Sequence, residues 1–134
     1  MKTFPARHAM GSLVKGDALV ANDGFSARYD LDRIRGVFSR PAHKLAGQSY
    51  TGKVLVLDTA KGGVASAWML YEMASRGVVP LALVFNSVNP ILAQGTALAG
   101  LPMLAGFDRD ITAELASGEQ VEIDPENRLL KVLR

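Results

Sequence analysis

The residues best suited to chemistry lie in one turn, Thr59-Ala60-Lys61-Gly62-Gly63-Val64-Ala65-Ser66. Two adjacent glycines allow the backbone to adopt positive φ and to approach a ligand closely. A helix that begins here directs its unpaired N–H groups, and the positive end of its dipole, toward an anion. Because Lys61 adds a positive charge beside Gly62 and Gly63, the turn is a candidate site for a carboxylate or a phosphate. The alternative is that the glycine pair only makes a tight strand-to-helix turn, and the spacing does not match a Walker A loop.

A polar and aromatic cluster, Phe25-Ser26-Ala27-Arg28-Tyr29, is the second candidate. Arg28 beside aromatic side chains could bind a substrate carboxylate or contact a partner protein, with Ser26 as a further ligand. The alternative is a solvated arginine with two aromatic residues that cover the edge of the core. His43 could act as an acid or base, although a single histidine in a loop is more often an ordinary surface residue.

Asn86 and Asn89 follow a predicted strand. In open parallel sheets ligands bind near the carboxyl ends of the strands, which would place both asparagines beside the Lys61 turn. We therefore include them among the substrate-binding candidates. The alternative, favoured for Asn89, is that an asparagine before a proline simply starts a turn.

The elements around these residues predict a β-rich α/β fold. A buried strand over 53–57 leads through the glycine turn into a main helix over about 63–76, and a second buried strand follows over 81–85. This order and length are typical of a right-handed crossover between parallel strands. Further along, the patterns predict a short helix over about 90–98, a short strand over 101–104 and a terminal hairpin over 120–133. The segment 24–52 shows no regular periodicity, which is typical of a functional loop or of disorder; its aromatic residues and mixed charges argue against disorder.

Composition limits the functions open to the chain. Its 134 residues, 49% of them hydrophobic, fit a single domain over 1–134. The absence of cysteine excludes a disulfide framework and any cysteine-bound zinc or iron–sulfur site in this chain, and we predict no metal site in it. The formal net charge of +2 is scattered, which argues against nucleic-acid binding. We expect a cytoplasmic protein with no membrane partner, because no export-type or membrane-spanning apolar segment is visible.

An ordered set of sequence pieces resembles the small subunit, or swivelling domain, of the aconitase X family. The resemblance covers nearly the whole chain, and no single piece is diagnostic. The pieces are the region 11–20, Gly24-Phe25-Ser26, Pro41-Ala42-His43, Gly47-Gln48-Ser49, the strand 52–57 with its glycine turn, Arg76-Gly77-Val78-Val79-Pro80, and Asn89-Pro90-Ile91-Leu92 with Gly95.

The resemblance implies a swivelling β/β/α domain, built as a small mixed sheet or an open barrel. It implies one subunit of a hydro-lyase that closes over the active site of a larger, aconitase-like subunit. That partner would carry the iron–sulfur cluster or other metal, and this chain would carry no cofactor. Known activities of the family include dehydration of a hydroxyproline and of phosphomevalonate, so the implied substrate is a small anionic hydroxy acid.

The turn departs from the family pattern, in which arginine and glycine precede a run of serines and a serine acts as the base. Here Gly63 stands where that serine is expected, and Ser66 comes only at the end of the turn. The resemblance thus leaves three interpretations: Ser66 is the catalytic residue, the base comes from the larger subunit, or the chemistry differs. The missing serine run also supports a rival interpretation, a non-catalytic anion-binding or regulatory domain on the same scaffold.

Overall fold

The computed structural model describes residues 2–61 and 63–133. Strands are the only elements over residues 2–60, and strands and helices alternate over 54–124. In chain order they are β1 (Lys2–Pro5), β2 (His8–Met10), β3 (Val14–Phe25), β4 (Leu31–Asp32), β5 (Val37–Phe38), β6 (Val54–Ala60), α1 (Val64–Arg76), β7 (Ala82–Ser87), α2 (Pro90–Leu98), β8 (Met103–Ala105), α3 (Ile111–Glu114), β9 (Gln120–Asp124) and β10 (Leu129–Val132).

Eight strands form one mixed sheet in the order β1-β10-β9-β3-β6-β7-β8-β2, and β4 pairs separately with β5. The long strand β3 joins the two halves, because its first part pairs antiparallel with β9 and its second part pairs parallel with β6. Strands β6 and β7 are parallel neighbours joined through α1, with Leu55 opposite Leu83. The predicted parallel pairing of two strands joined by a helix is therefore confirmed.

Alternating side chains of the central strands supply two separate cores. Leu55 and Leu57 of β6 pack with Leu70 of α1 on one face of the sheet. Val54 and Val56 point the other way and pack with Ile111 of α3. This period of two, in a strand buried on both faces, explains why the segment is an unbroken apolar run.

The sheet curves around the second core. That cluster contains Val84 of β7 together with Val121 and Leu130 from the other half of the sheet, so the two halves face each other. The connection between β1 and β2 links the two edges, since the backbone N–H of Ala6 donates to Arg128 and that of Arg7 to Gly106. The predicted β-rich α/β architecture is confirmed, and the curved mixed sheet has the character of an open barrel.

Both predicted helices are present, and each begins or ends as its sequence indicates. Helix α1 ends at Gly77, whose φ of 73° is the left-handed conformation that glycine adopts without strain. Helix α2 begins at Asn89, whose side chain accepts a hydrogen bond from the backbone N–H of Leu92, with Pro90 in the first turn.

Several short elements were not predicted from the sequence. Strands β1 and β2 lie at the two edges of the sheet and have few buried residues, so neither shows a clear apolar pattern. Helix α3 is a single turn, and Asp110 caps it by accepting from the backbone N–H of Thr112. The segment that lacked periodicity contains the two-residue strands β4 and β5, which are too short for sequence pattern to reveal.

A close contact between α1 and α2 leads to a first prediction. A Cβ added at Gly95 would lie 2.4 Å from the Cβ and 2.7 Å from the Cα of Ala67, so Gly95→Ala forces the helices apart. We expect a loss of about 2 kcal/mol in the free energy of unfolding, more than the helix propensity of alanine restores. Urea denaturation measures this loss. The double variant Ala67→Gly/Gly95→Ala should recover part of it, and equal stability of Gly95→Ala and the parent would contradict the contact.

Candidate functional site

Lys61 lies where β6 ends and the turn toward α1 begins. Its backbone N–H donates to the carbonyl oxygen of Phe25 at 2.7 Å, which extends the parallel pairing of β6 with β3. Its side chain runs across Gly24, because a Cβ added at Gly24 would lie 3.1 Å from Cε and 3.6 Å from Nζ of Lys61. Lys61 is exposed, and its ammonium group forms no ion pair within residues 2–61 and 63–133. An unpaired cation thus stands beside the start of α1.

The predicted glycine turn is only partly described. Gly62 lies outside the described residues, and Gly63 is the N-cap of α1. No side chain from the described residues caps this helix, and its first turn carries no acidic residue, so the positive end of its dipole is not neutralised locally. Ser66 is 2% exposed and lies on the inward face of α1 with Leu70 and Met73.

A second cation comes from the segment that follows β3. Arg40 donates through Nε to Oδ1 of Asp30 at 2.5 Å. The other oxygen of this buried carboxylate accepts from the backbone N–H of Ser26 at 2.9 Å. The backbone carbonyl of Asp30 also accepts from the N–H of Ser39 at 2.8 Å. Asp30 therefore fixes both ends of this segment and orients the guanidinium group of Arg40.

His43 is a buried structural residue, which neither interpretation of the sequence anticipated. Its Nδ1 accepts from the backbone N–H of Leu45 at 3.0 Å, so its Nε2 carries the proton and donates to the carbonyl of Gly24 at 2.8 Å. The ring stacks on Phe38 with centroids 4.5 Å apart. This imidazole connects the irregular segment to the end of β3.

Asp23 completes the anchoring of the segment. Burial tends to raise the pKa of its carboxyl group, but hydrogen bonds from the backbone N–H groups of Lys44 and Gly24, with the positive charge of Arg40 nearby, lower the pKa below its usual value of 3.8. The carboxylate is thus the form that the fold favours.

A second prediction concerns acid stability. The folded-state pKa of Asp23 is lowered, so its contribution to stability is complete well above pH 3.8 and is lost as the pH falls through the folded-state value. We expect Asp23→Asn to be less stable than the parent at pH 7, with the difference shrinking below about pH 4. Thermal unfolding from pH 7 to pH 3 measures this. Asp108→Asn is the control, because the Asp108 side chain is 89% exposed; a constant Asp23→Asn deficit across this range would contradict the assignment.

The two cations share one cavity. Its volume is about 360 Å³, and it is lined by Gly24, Ser26, Tyr29, Asp30, Arg40 and Lys61. Asp30 accepts from Nε of Arg40, and Oδ1 of Asp23 lies 3.9 Å from Nη2, so the ammonium group of Lys61 and the remaining N–H groups of Arg40 are left for a ligand. This arrangement suits a small molecule with at least one carboxylate or phosphate.

Arg28 and Ser26 were both predicted from the cluster after β3, and their environments differ. Ser26 lines the cavity, and its hydroxyl accepts from the backbone N–H of Tyr29 at 3.3 Å. Arg28 is exposed, with its guanidinium carbon 5.3 Å from the centroid of the Tyr29 ring. It therefore lies beside the cavity wall and does not line the cavity.

Asn86 lies on the other face of the sheet. It comes two residues after Val84 in β7 and so shares its face; Val84 belongs to the second core, whereas α1 packs on the first. Its amide donates to Asp58 at 2.9 Å and to Asp110 at 2.7 Å, and its carbonyl oxygen accepts from the backbone N–H of Ile111 at 2.8 Å. Because these bonds engage the amide of Asn86 in linking β6, β7 and α3, we no longer include it among the substrate-binding candidates. Asn89 caps α2, as the alternative interpretation favoured.

The sequence analysis missed Arg40 and Asp30 as components of the site. The signal available was weak: an acid and a base ten residues apart within a non-periodic segment. The contact between Arg40 and Asp30 depends on the fold of the whole segment, so no local sequence pattern predicts it.

No metal centre is apparent in this part of the chain. The sequence has no cysteine, and residues 2–61 and 63–133 contain no group of three or more His, Asp or Glu side chains that could hold a metal ion. The residues present therefore do not fit an iron–sulfur cluster. In the same residues, no helix has the length and apolar character needed to cross a membrane.

Comparison with known proteins defines the family. The family model described as the aconitase X swivel domain matches residues 3–132, so the chain belongs to the aconitase X swivel domain family, as the resemblance implied. The chain of an aconitase X from Thermococcus kodakaraensis, in a holo-form crystal structure, has a TM-score of 0.92 at 23% identity, with 100% of each chain covered. A solution NMR structure of a UPF0107 protein has a TM-score of 0.88 at 22% identity, covering 99% of this chain and 100% of the other. Both show the same fold.

Relatives with assigned names add a reaction class. The phosphomevalonate dehydratase small subunit of Methanopyrus kandleri is 34% identical over 112 residues, which is 84% of this chain and 83% of the relative. The protein of the same name from Pyrococcus horikoshii is 27% identical over 121 residues, or 90% and 88%. These names agree with the prediction of one subunit of a hydro-lyase.

Proposed function

We propose that the chain is the small subunit of a heteromeric hydro-lyase that removes water from a small anionic hydroxy acid. The observation that carries this proposal is the cavity in which Lys61 and Arg40 stand together at the start of α1. Family membership and the relatives named as dehydratase small subunits supply the reaction class.

The role of this chain in the proposed reaction is to bind the substrate's anionic groups. Lys61 and Arg40 are the proposed anion ligands, with Ser26 at the wall of the cavity and the backbone amides of Gly63 and Val64 at the helix start. Two cations in one cavity suit a substrate with two anionic groups, such as a carboxylate and a phosphate. The phosphomevalonate of the relatives' name is such a molecule, and we propose a phosphorylated hydroxy acid as the substrate class.

Elimination of water also requires a base that removes a proton and a group that receives the hydroxyl. Ser66 was the catalytic candidate, but it is buried and lies on the face of α1 that packs against the sheet. We therefore favour the interpretation in which the base comes from the larger subunit. Any iron–sulfur cluster or other metal is likewise proposed for that subunit, and the assembled enzyme is proposed to work in the cytoplasm.

Reconstitution tests the function. The chain and the larger aconitase-like chain of the same organism are co-expressed, purified as a pair and incubated with mevalonate 5-phosphate, with unphosphorylated mevalonate as the comparison. We expect loss of water from the phosphorylated compound by the pair and none by either chain alone. A stable pair that dehydrates no hydroxy acid would contradict the proposal and favour a non-catalytic regulatory domain. Full activity from this chain alone would contradict the proposal that the larger subunit supplies the base and any metal.

A further inference from the structure

The outward faces of α1 and α2 carry an apolar patch. It comprises Val64, Trp68, Tyr71, Ile91 and Leu98, which we call the helix patch. Trp68 is 65% exposed and Leu98 is 72% exposed, and the groove between the helices has a volume of about 370 Å³. The rings of Trp68 and Tyr71 contact edge to face with centroids 6.1 Å apart. The helix patch contains five of the eight large hydrophobic side chains that are exposed in the described residues.

Such clustering indicates a binding surface. Single exposed hydrophobic residues are ordinary, whereas a contiguous apolar area of several hundred Å² usually marks an interaction site. The helix patch exposes on the order of 500 Å² of side-chain surface, judging from the typical areas of such residues. A stable protein–protein interface buries about 800 Å² on each partner. A partner that covers the helix patch must therefore also cover neighbouring surface.

That neighbouring surface is cationic. Val64 begins α1, so the helix patch is continuous with the turn that carries Lys61. Arg28 lies beside the same cavity, over the ring of Tyr29, and its guanidinium group has no carboxylate partner among residues 2–61 and 63–133; because Lys61 is assigned to the substrate, Arg28 is the charge that a partner's carboxylate can meet. The best complement to the whole surface is an apolar area bordered by carboxylates.

A second copy of this chain does not provide that complement. Helix α2 has no charged residue, and at the far end of α1 the carboxylate of Glu72 is already paired with Arg76 at 3.0 Å and with Arg33 at 3.9 Å. A symmetric pair that packs these helices against each other would therefore bring no free carboxylate from them to Arg28. Charge therefore disfavours self-association through the helix patch.

We infer that the helix patch and its cationic edge bind the larger subunit of the dehydratase, through an apolar surface bordered by acidic side chains. This inference rests on the proposed function, which requires such a partner. The inference extends the proposed function by identifying the face of the domain that contacts the partner. This face places the Lys61 cavity at the rim of the interface. Binding at this face would orient the start of α1 toward the partner's active site.

The test measures binding of the two chains directly. The chain carries one tryptophan, Trp68, so incorporation of fluorotryptophan gives one fluorine NMR signal inside the helix patch. We expect this signal to shift and broaden when the unlabelled larger subunit is added. Trp68→Glu and Leu98→Glu should each weaken the Kd for the pair at least tenfold in sedimentation or calorimetry. The control is Leu13→Glu, at a residue that is 53% exposed and lies outside the helix patch.

The outcomes separate this inference from the proposed function. If the parent pair forms and is active but the helix-patch variants bind with the parent's Kd, the docking surface is wrong and the function stands. If the parent chain binds no larger subunit and the pair has no lyase activity, both fail. A concentration-dependent dimer of the isolated chain that Trp68→Glu abolishes would overturn the inference in favour of a second copy. Circular dichroism should show that every variant is folded, because the substituted side chains are exposed.

Discussion

Lys61→Ala is expected to lower kcat/KM of the reconstituted enzyme about 10- to 100-fold, because a hydrogen bond to a charged group contributes about 1.5–3 kcal/mol. The ammonium group of Lys61 stands at the cavity and has no carboxylate partner in the described residues, so its charge is available to the substrate. Most of the loss should be an increase in KM, since an anion ligand acts on the bound substrate as well as on the transition state. Steady-state kinetics on the phosphorylated hydroxy acid measures it.

Two variants make the result specific to the position. Lys61→Arg keeps the charge and should retain most of the activity, although its planar group cannot reproduce the geometry of an ammonium. Lys15→Ala removes an exposed lysine that pairs with Glu122 at 3.6 Å, on β3 and β9, and should leave the kinetics unchanged. Lys61 is exposed, so its removal should not alter the thermal midpoint. Unchanged kcat and KM in Lys61→Ala would remove Lys61 from the site.

The parts of this fold that were predictable are those with local signals. The unit β6–α1–β7 combines two apolar runs with a helix that a glycine ends, and the structure contains both strands and the helix with its glycine stop. The edge strands β1 and β2 could not be predicted, because their order comes from pairing with β10 and β8, which are distant in sequence. Such pairing leaves little pattern in a three- or four-residue strand.

The residues of the candidate site show the same difference between local sequence signals and contacts that are distant in sequence. Lys61 was predicted because its turn, strand and helix are contiguous in the chain. Arg40 was not, because a buried carboxylate and a buried imidazole place it by contacts that span the irregular segment. Asn86 was misplaced for a different reason. Its position at the carboxyl end of β7 was correct, but a strand presents alternate side chains to opposite faces, and the sequence did not say which face α1 covers.

The buried carboxylate of Asp30 should matter for both stability and activity. Asp30→Asn preserves the shape but replaces one acceptor oxygen by an N–H donor, which must then face either the Nε of Arg40 or the backbone N–H of Ser26. Either Nε of Arg40 or the backbone N–H of Ser26 then lacks an acceptor at this buried carboxylate position. The negative charge that orients Arg40 is also lost. We expect about 2 kcal/mol of destabilisation, less than for a fully buried ion pair, because the Arg40 side chain is 39% exposed.

The same substitution should impair substrate binding under conditions where the variant is still folded. With Asp30 neutral, the guanidinium group of Arg40 loses its short charged contact through Nε and keeps only the longer one of 3.9 Å to Asp23, so it is held less firmly in the orientation that binds the substrate. We expect KM of the reconstituted enzyme to rise about tenfold, equivalent to 1.4 kcal/mol. Asp32→Asn is the matched control: it lies in the same segment and accepts from the backbone N–H groups of Ile34 and Arg35, but it does not contact Arg40. It should cost less stability and leave KM unchanged. A KM for Asp30→Asn equal to that of Asp32→Asn would show that Arg40 is not a substrate ligand, because loss of its orienting partner would then have no consequence for binding.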